Sequence, residues 1–261
     1  RKSAHPIIGR RSRRKPEHPF SGGTIRDRPV LSRMLLFAYL GNRITEYGKG
    51  DDIMANVLYV RANPKSEEHS NSSQLANFFI SEYQKHNPDD TIDKLDLYTA
   101  DIPFLDVDVF SAWGKFASND ELTAVEREKA ERMDKLTNQF LEADKVIFAY
   151  PFWNLSLPPM LKAYIDTICI NGKTFHYTED GPEGLVPDKP FLLIETRGGF
   201  YSEGPAAELE HSQSYIQGVT RFIGIQNQHA VIAEGLDVDE ATRNASLEKA
   251  REKLAELARN F

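Results

Sequence analysis

The chain has 261 residues, and its 40% hydrophobic and 10% aromatic content can fill a folded core, which excludes disorder throughout. The net charge of -7 argues against a nucleic-acid partner, and no apolar run approaches the ~20 residues that span a bilayer, so no membrane partner is expected. One cysteine, Cys169, can form neither an internal disulfide nor a multi-cysteine zinc site, a usage that predicts a reducing compartment such as the cytoplasm.

Residues 1–53 differ from the rest of the chain in charge. They hold 12 Lys/Arg and 5 Asp/Glu, whereas residues 54–261 hold 20 and 34. Their basic cluster could bind nucleic acid, and their short apolar run could belong to a cleaved signal. We favour a third interpretation, translated upstream DNA, because Lys49-Gly50-Asp51 can be encoded with AAGGAG, a bacterial ribosome-binding sequence, at a workable distance before Met54. We therefore expect a poorly ordered, dispensable basic leader and one domain over residues 54–261.

From Met54 onward, short β-forming runs alternate with amphipathic segments. Strands are predicted at Asn56–Arg61, Thr91–Leu97, Lys145–Tyr150, Phe191–Thr196 and Gln228–Glu234. Helices are predicted at Asn71–His86, Thr123 to about Glu142, Pro158–Ile170, Ala206–Arg221 and Asp239–Asn260. Residues 98–121 are predicted as a long connection, and residues 171–188 as a loop or hairpin. This alternation predicts an α/β fold, a flavodoxin-like doubly wound five-stranded parallel sheet with helices on both faces.

In such sheets, ligands bind beyond the carboxyl ends of the strands, at the point where the strand order reverses. Three loops should therefore carry the function. They are residues 63–73, 150–159 and 196–205, called here the first, second and third loops.

The first loop combines hydroxyl and amide groups with a helix N-terminus. Ser70, Ser72 and Ser73 can each donate a hydroxyl hydrogen, and the positive end of the helix dipole favours an anion such as phosphate. The loop is neither a Walker loop nor a dinucleotide glycine motif. Ordinary capping of the helix by these side chains is the alternative.

The second and third loops are suited to a flat ring system. Phe152 and Trp153 can flank such a ring, and Asn154 can donate to and accept from its edge, although these aromatics could equally cap the core. Gly198 and Gly199 leave backbone N–H groups open to close approach. A phosphate at the first loop and a planar heterocycle between the other two describe a flavin mononucleotide (FMN).

Four stretches extend this interpretation to a family. They are Pro151-Phe152-Trp153-Asn154, the run from Phe175-His176-Tyr177 to Gly184-Leu185, Arg197-Gly198-Gly199, and Phe222-Ile223-Gly224-Ile225. With them, residues 54–261 resemble the FMN-dependent NADH:quinone oxidoreductases, also called azoreductases. The resemblance implies FMN as the bound cofactor, NADH or NADPH as electron donor, quinones and aromatic azo compounds as substrates, and a homodimer with its active site at the interface.

The resemblance also implies site residues by position. The implied FMN-binding residues are Asn63, Ser70, Asn71, Ser72, Phe152, Trp153, Asn154, Leu155, Thr196, Arg197, Gly198 and Gly199. The family often has serine where this chain has Asn63 and Thr196, which puts the Asn63 contact in doubt. Tyr177 and Phe222 fall on positions that line the substrate pocket, at least partly across the subunit interface, and Tyr201 is a further candidate donor near the substrate.

We hypothesise a two-step cycle in which the nicotinamide passes a hydride to flavin N5 and leaves, after which the acceptor takes its place, so that the kinetics are ping-pong. No side chain is assigned as a catalytic acid or base. His176 and His211 are interpreted as solvated, Cys169 as core packing, and the acidic run 237–240 as the start of a helix. Two alternatives are an FMN electron carrier without NADH turnover and a nucleic-acid-binding or interaction protein that acts through the basic leader and carries an inert flavin fold.

Overall fold

The structure is a computed structural model that describes residues 54–261. The expectation of a dispensable leader concerns residues 1–53, which lie outside the described part, and it stays a prediction. The strands are β1 Asn56–Arg61, β2 Thr91–Asp96, β3 Lys145–Pro151, β4 Phe175–Thr178, β5 Gly181–Gly184, β6 Phe191–Thr196 and β7 Gln228–Ala233. The α-helices are α1 Asn71–His86, α2 Val107–Ser118, α3 Ala124–Glu142, α4 Pro159–Ile168, α5 Gln213–Ile223 and α6 Glu240–Leu257.

Five of the strands form one parallel sheet in the order β2-β1-β3-β6-β7. The order confirms the predicted flavodoxin-like fold, because the chain starts in the sheet interior and reverses direction between β1 and β3. The remaining two strands, β4 and β5, pair as an antiparallel hairpin within the segment predicted as a loop or hairpin.

Helices cover both faces of the sheet, as predicted. Alternate residues of β1 face opposite sides: Leu58 and Val60 pack with α3, α4 and α5, whereas Val57 and Tyr59 pack with α1 and α6. Each of these side chains is at most 1% exposed. Burial of a large apolar side chain contributes roughly 1.5–3 kcal/mol, so the two clusters fix the strand register from both sides. In the part of the chain that the structure describes, no helix is both long and apolar enough to cross a membrane.

Two predicted segments differ from the structure. The connection 98–121 contains α2, which starts where the Asp106 carboxylate accepts from the N–H groups of Asp108 and Val109 and ends at Asn119 in the left-handed region. The helix predicted from Ala206 begins only at Gln213. The reason is that the Glu210 carboxylate accepts from the N–H groups of the residues that open α5, which leaves a 3-10 turn at Ala207–Leu209 before it.

Glu126 links α2 to the start of α3. Its carboxylate lies 2.7 Å from the Lys115 ammonium and accepts from the Ser111 hydroxyl at 2.6 Å and from the Thr123 N–H at 2.7 Å. The Thr123 hydroxyl accepts from the Glu126 N–H in return, so the two residues form a capping box. Lys115 first, then Ser111 and Thr123, lower the pKa of Glu126 from 4.5 to about 2.

We expect Glu126→Gln to lower the free energy of unfolding near neutral pH, by an amount that shrinks in acid. The unfolded carboxyl titrates near 4.5 and the folded one near 2, so its stabilisation is complete above about pH 5 and is lost as the pH falls from 4.5 to about 2. Urea unfolding of both proteins across this range measures the effect. Glu128→Gln, on the exposed side of α3, is the control, and a stability difference that did not change with pH would contradict the prediction.

Candidate functional site

The structure brings the three predicted loops to one edge of the sheet. β1 and β3 end side by side, because the Ala62 N–H donates to the Ala149 carbonyl at 3.0 Å. β3 and β6 also end together, because the Phe152 N–H donates to the Thr196 carbonyl at 2.8 Å. The first, second and third loops therefore leave three neighbouring strands at their carboxyl ends.

The first loop closes around the hydroxyl of Ser70, which caps α1. This oxygen accepts from the Asn63 amide and the Ser73 hydroxyl, both at 2.8 Å, and lies 3.2 Å from the Ser72 hydroxyl. Because the side-chain oxygen of Asn63 accepts from the Lys65 N–H, both polar atoms of Asn63 serve the loop itself. The N–H groups of Asn71 and Ser72 open α1 and have no intrahelical acceptor, so they are the donors that an anion would meet.

Arg61 lies behind this loop and was not among the predicted site residues. It ends β1 with only 4% of its surface exposed. Its guanidinium donates to the Ser73 hydroxyl at 2.9 Å and pairs with Asp96 at the end of β2. The sequence signal that could have identified Arg61 is an arginine at the end of a mostly apolar strand. Its guanidinium lies next to the start of α1, where it would favour an anion, although the Asp96 carboxylate offsets part of its charge.

The second loop turns sharply at Asn154 and Leu155. The N–H groups of Trp153 and Ser156 donate to each other's carbonyls at 2.8 and 3.0 Å, and both intervening residues have positive φ, 49° and 67°. Positive φ at both central positions is typical of a type I′ turn. For residues other than glycine this costs about 1–2 kcal/mol each, and such strain is concentrated at ligand sites. The His211 N–H holds the turn by donating to the Leu155 carbonyl at 3.1 Å.

The third loop is hydrogen-bonded through its carbonyl groups to residues 235–237. The carbonyls of Arg197, Gly198 and Gly199 accept from N–H groups there at 3.0–3.1 Å. In a trans peptide the N–H points opposite to the carbonyl, so the N–H groups of Gly198 and Gly199 point away from residues 235–237, which follow β7, and toward the side of β3. A Cβ at Gly198 would lie 2.3 Å from Asp237 Oδ2, so a larger residue there would require the Asp237 side chain to move.

Aromatic side chains join these loops to one another. The Tyr201 ring lies 4.7 Å from the Phe152 ring, which brings the second and third loops together. The Trp153 ring meets the edge of Tyr98, from the loop after β2, at 6.5 Å. Tyr98 was not predicted at the site, because nothing in its own segment marks it. The second loop is therefore flanked by aromatic rings on both sides.

The predicted substrate-pocket residues fall into two places. Tyr201 lies at the second and third loops. Tyr177 and Phe222 instead belong to a cluster on the β4–β5 hairpin, where the Phe175 ring lies 5.7 Å from Tyr177 and 4.6 Å from Phe222. Tyr177 is 69% exposed on this chain.

The reactive side chains of the remaining candidates lie outside the three loops. His176 pairs with the Glu183 carboxylate across the hairpin at 3.0 Å. Cys169 is partly buried against the core, and burial raises the pKa of its thiol to about 12, which agrees with its interpretation as packing. The acidic run 237–240 starts a helix as predicted, with Asp239 capping α6 by accepting from the Thr242 N–H.

The strand order, with the three loops together at the carboxyl edge of the sheet, defines a flavodoxin-like α/β protein. Residues 55–258 match the sequence profile of the family described as "Flavodoxin-like fold". The chain belongs to this family and, within it, groups with the FMN-dependent NADH:quinone oxidoreductases and azoreductases.

Individual relatives cover the described domain from end to end. A protein of Staphylococcus haemolyticus named FMN-dependent NADH:quinone oxidoreductase is 43% identical over 212 residues, which are 80% of this chain and 100% of the relative. The crystal structure of an azoreductase from Bacillus anthracis str. Sterne has a TM-score of 0.76 at 39% identity and covers 80% of this chain and 100% of its own. An FMN-dependent NADH-azoreductase of Bacillus anthracis str. Ames Ancestor, solved in complex with FMN, has a TM-score of 0.73 at 31% identity, covering 78% and 100%.

Proposed function

We propose that this chain is an FMN-dependent NADH:quinone oxidoreductase that also reductively cleaves aromatic azo compounds. The observation that carries the proposal is the junction of an anion-binding helix start, a strained aromatic turn and a glycine pair at one sheet edge. The names of the relatives, which are more than 40% identical over their whole length and over 80% of this chain, support the same activity. The single cysteine and the nicotinamide donor favour a cytoplasmic location.

The residues of the three loops fit the two parts of FMN, its phosphate and its isoalloxazine ring. The first loop offers the N–H groups of Asn71 and Ser72 to the phosphate, with Ser70 and Asn63 shaping the loop and Arg61 adding charge behind it. The second and third loops, at the carboxyl edge of the sheet, would hold the isoalloxazine ring. Its proposed neighbours are Phe152, Trp153, Asn154, Leu155, Thr196, Gly198 and Gly199.

When bound, FMN would supply two-electron redox chemistry between NADH and the acceptor; one NADH suffices to reduce a quinone, whereas cleavage of an azo bond to two amines takes four electrons and therefore two NADH. The chain supplies position and polarity. The N–H groups of Gly198 and Gly199, which point away from residues 235–237, would stabilise negative charge on a ring held between the second and third loops, as backbone donors do in an oxyanion hole. We assign no acid or base of the three loops to the reaction, and the protons would come from solvent.

The aromatic walls explain a broad acceptor range. Stacking of a flat acceptor on a ring such as Phe152, Trp153 or Tyr201 contributes on the order of 1 kcal/mol per pair and tolerates substituents. Because donor and acceptor would use the same space, the kinetics are expected to be ping-pong.

A second copy of the chain would complete the site. Phe104, Val107 and Phe110, at and beside the start of α2, are 59%, 79% and 59% exposed, and Tyr177 is 69% exposed. Exposed apolar side chains in this number are typical of an interface. A homodimer would bury them and would bring Tyr177 and Phe222 to the partner's site.

We expect the purified protein to be yellow and to bleach when NADH is added without air. A benzoquinone should then restore the colour, and with NADH in excess it should sustain steady NADH consumption. NADPH in place of NADH measures the donor preference. Bleaching without steady turnover would favour the electron carrier over the enzyme, and a colourless protein that takes up no added FMN would overturn both.

A further inference from the structure

Arg197 stands among the residues implied to bind the flavin, yet its side chain points into the protein. The guanidinium side chain is 0% exposed. It lies 3.0 Å from a Glu195 oxygen, 2.9 Å from Glu234 and 3.4 Å from Glu210. It is therefore surrounded by carboxylates.

Each carboxylate belongs to a different segment. Glu195 lies on β6 and is fully buried. Glu210 accepts from the N–H groups of Ser212 and Gln213 at 2.7 and 2.6 Å and so holds the start of α5. Glu234, which follows β7, also accepts from the Tyr201 N–H at 2.9 Å and so holds the far side of the third loop.

The guanidinium also contacts the second loop. Its central carbon lies 5.1 Å from the centre of the Phe152 ring, a cation–π distance. The Phe152 ring in turn packs against Tyr201. One side chain thus joins the second loop, the third loop and the start of α5.

Net stabilisation is a weak explanation for this arrangement. A buried ion pair often does no better than an apolar replacement, because desolvation offsets the attraction. Here burial also leaves Arg197 Nε and Glu195 Oε1 without hydrogen-bond partners. A planar guanidinium that donates in several fixed directions instead serves geometry, and lysine cannot reproduce it.

We infer that Arg197 is a positioning residue for the flavin ring, which holds the second and third loops at the spacing of the ring before the cofactor binds. The inference rests on the proposed function. In this inference, the Arg197 side chain does not contact FMN. It positions the second and third loops, which would hold the ring, and not the first loop, which would hold the phosphate.

The test compares FMN with riboflavin, which has the same ring and no phosphate. We expect Arg197→Lys to raise the Kd of both flavins at least tenfold and by the same factor, so that the ratio of the two Kd values stays within twofold of wild type. FMN-saturated Arg197→Lys should also show an altered visible circular dichroism spectrum, because the ring sits differently. Arg251→Lys, an exposed arginine paired with Glu248 on α6, is the matched control.

Each outcome separates the inference from its rivals. Wild-type Kd values for Arg197→Lys, or a loss confined to FMN, would overturn it. Should Arg197→Lys fail to fold, Glu234→Gln takes its place: it retains an acceptor for the Tyr201 N–H, and it should weaken both flavins equally but less. Equal binding by Glu234→Gln and wild type would then refute the inference. A wild-type chain that binds neither flavin would overturn the proposed function itself.

Discussion

Asn71→Asp is expected to weaken FMN binding by about 100-fold, or ~2.7 kcal/mol, while riboflavin binds as it does to wild type. Asn71 is the first residue of α1, and the substitution changes almost nothing but charge. A unit charge about 5 Å from another repels it by roughly 3 kcal/mol at the effective dielectric of a protein surface. Flavin fluorescence titrations with both ligands measure the two constants.

The substitution is informative because it should not harm the fold. A carboxylate in the first turn of a helix interacts favourably with the helix dipole, so the free energy of unfolding should stay equal or rise slightly. Asn244→Asp, on an exposed position near the start of α6, adds the same charge away from the first loop and serves as control. Equal losses for FMN and riboflavin would place the phosphate elsewhere.

The strands and the loops that follow them could be predicted from local sequence. β6 is buried along its whole length, as the apolar run at residues 191–194 indicates, and the predicted bounds of the five sheet strands differ from the observed ones by at most one residue. Strands bounded this well place the loops after them, and parallel strands place those loops at one edge. Convergence of the three loops therefore followed from the sequence.

Helix α2 was not predicted, because its apolar residues are not confined to the face that packs on the core. Val109 and Ala112 face the core, but Val107, Phe110 and Phe116 are 79%, 59% and 61% exposed. A surface helix is recognised by an apolar stripe on one face and polar residues on the other. Where exposed apolar residues serve contacts beyond the chain, as we propose for α2, that signal is lost.

The direction of the Arg197 side chain was equally hidden. The resemblance assigned this residue to the flavin by its place beside Gly198. Its partners come from β6, the segment before α5 and the end of β7, and only the folded chain brings them together. A motif therefore predicts which backbone segment lies at the cofactor more reliably than it predicts where the side chains of that segment point.

Gly184→Ala is expected to lower the free energy of unfolding by about 1–3 kcal/mol, the usual cost of overpacking. A Cβ on Gly184 would lie 2.4 Å from the backbone nitrogen of Gly224 and 2.4 Å from the backbone carbon of Ile223. Backbone cannot rotate aside as a side chain can, and the Val186 N–H holds the chain there by donating to the Ile223 carbonyl at 2.9 Å. The β4–β5 hairpin must therefore move away from the end of α5.

That movement should weaken substrate binding more than flavin binding. The hairpin carries Tyr177, proposed to line the substrate pocket, and none of the three loops. We therefore expect a raised KM for the quinone with an FMN Kd within twofold of wild type. Gly218→Ala is the matched control within α5, where a Cβ meets no atom within 4 Å and alanine should stabilise the helix by roughly 0.5–1 kcal/mol. If thermal unfolding and steady-state kinetics found Gly184→Ala equal to wild type, the close approach of hairpin and helix would be wrong, and with it the support for placing Tyr177 at the pocket.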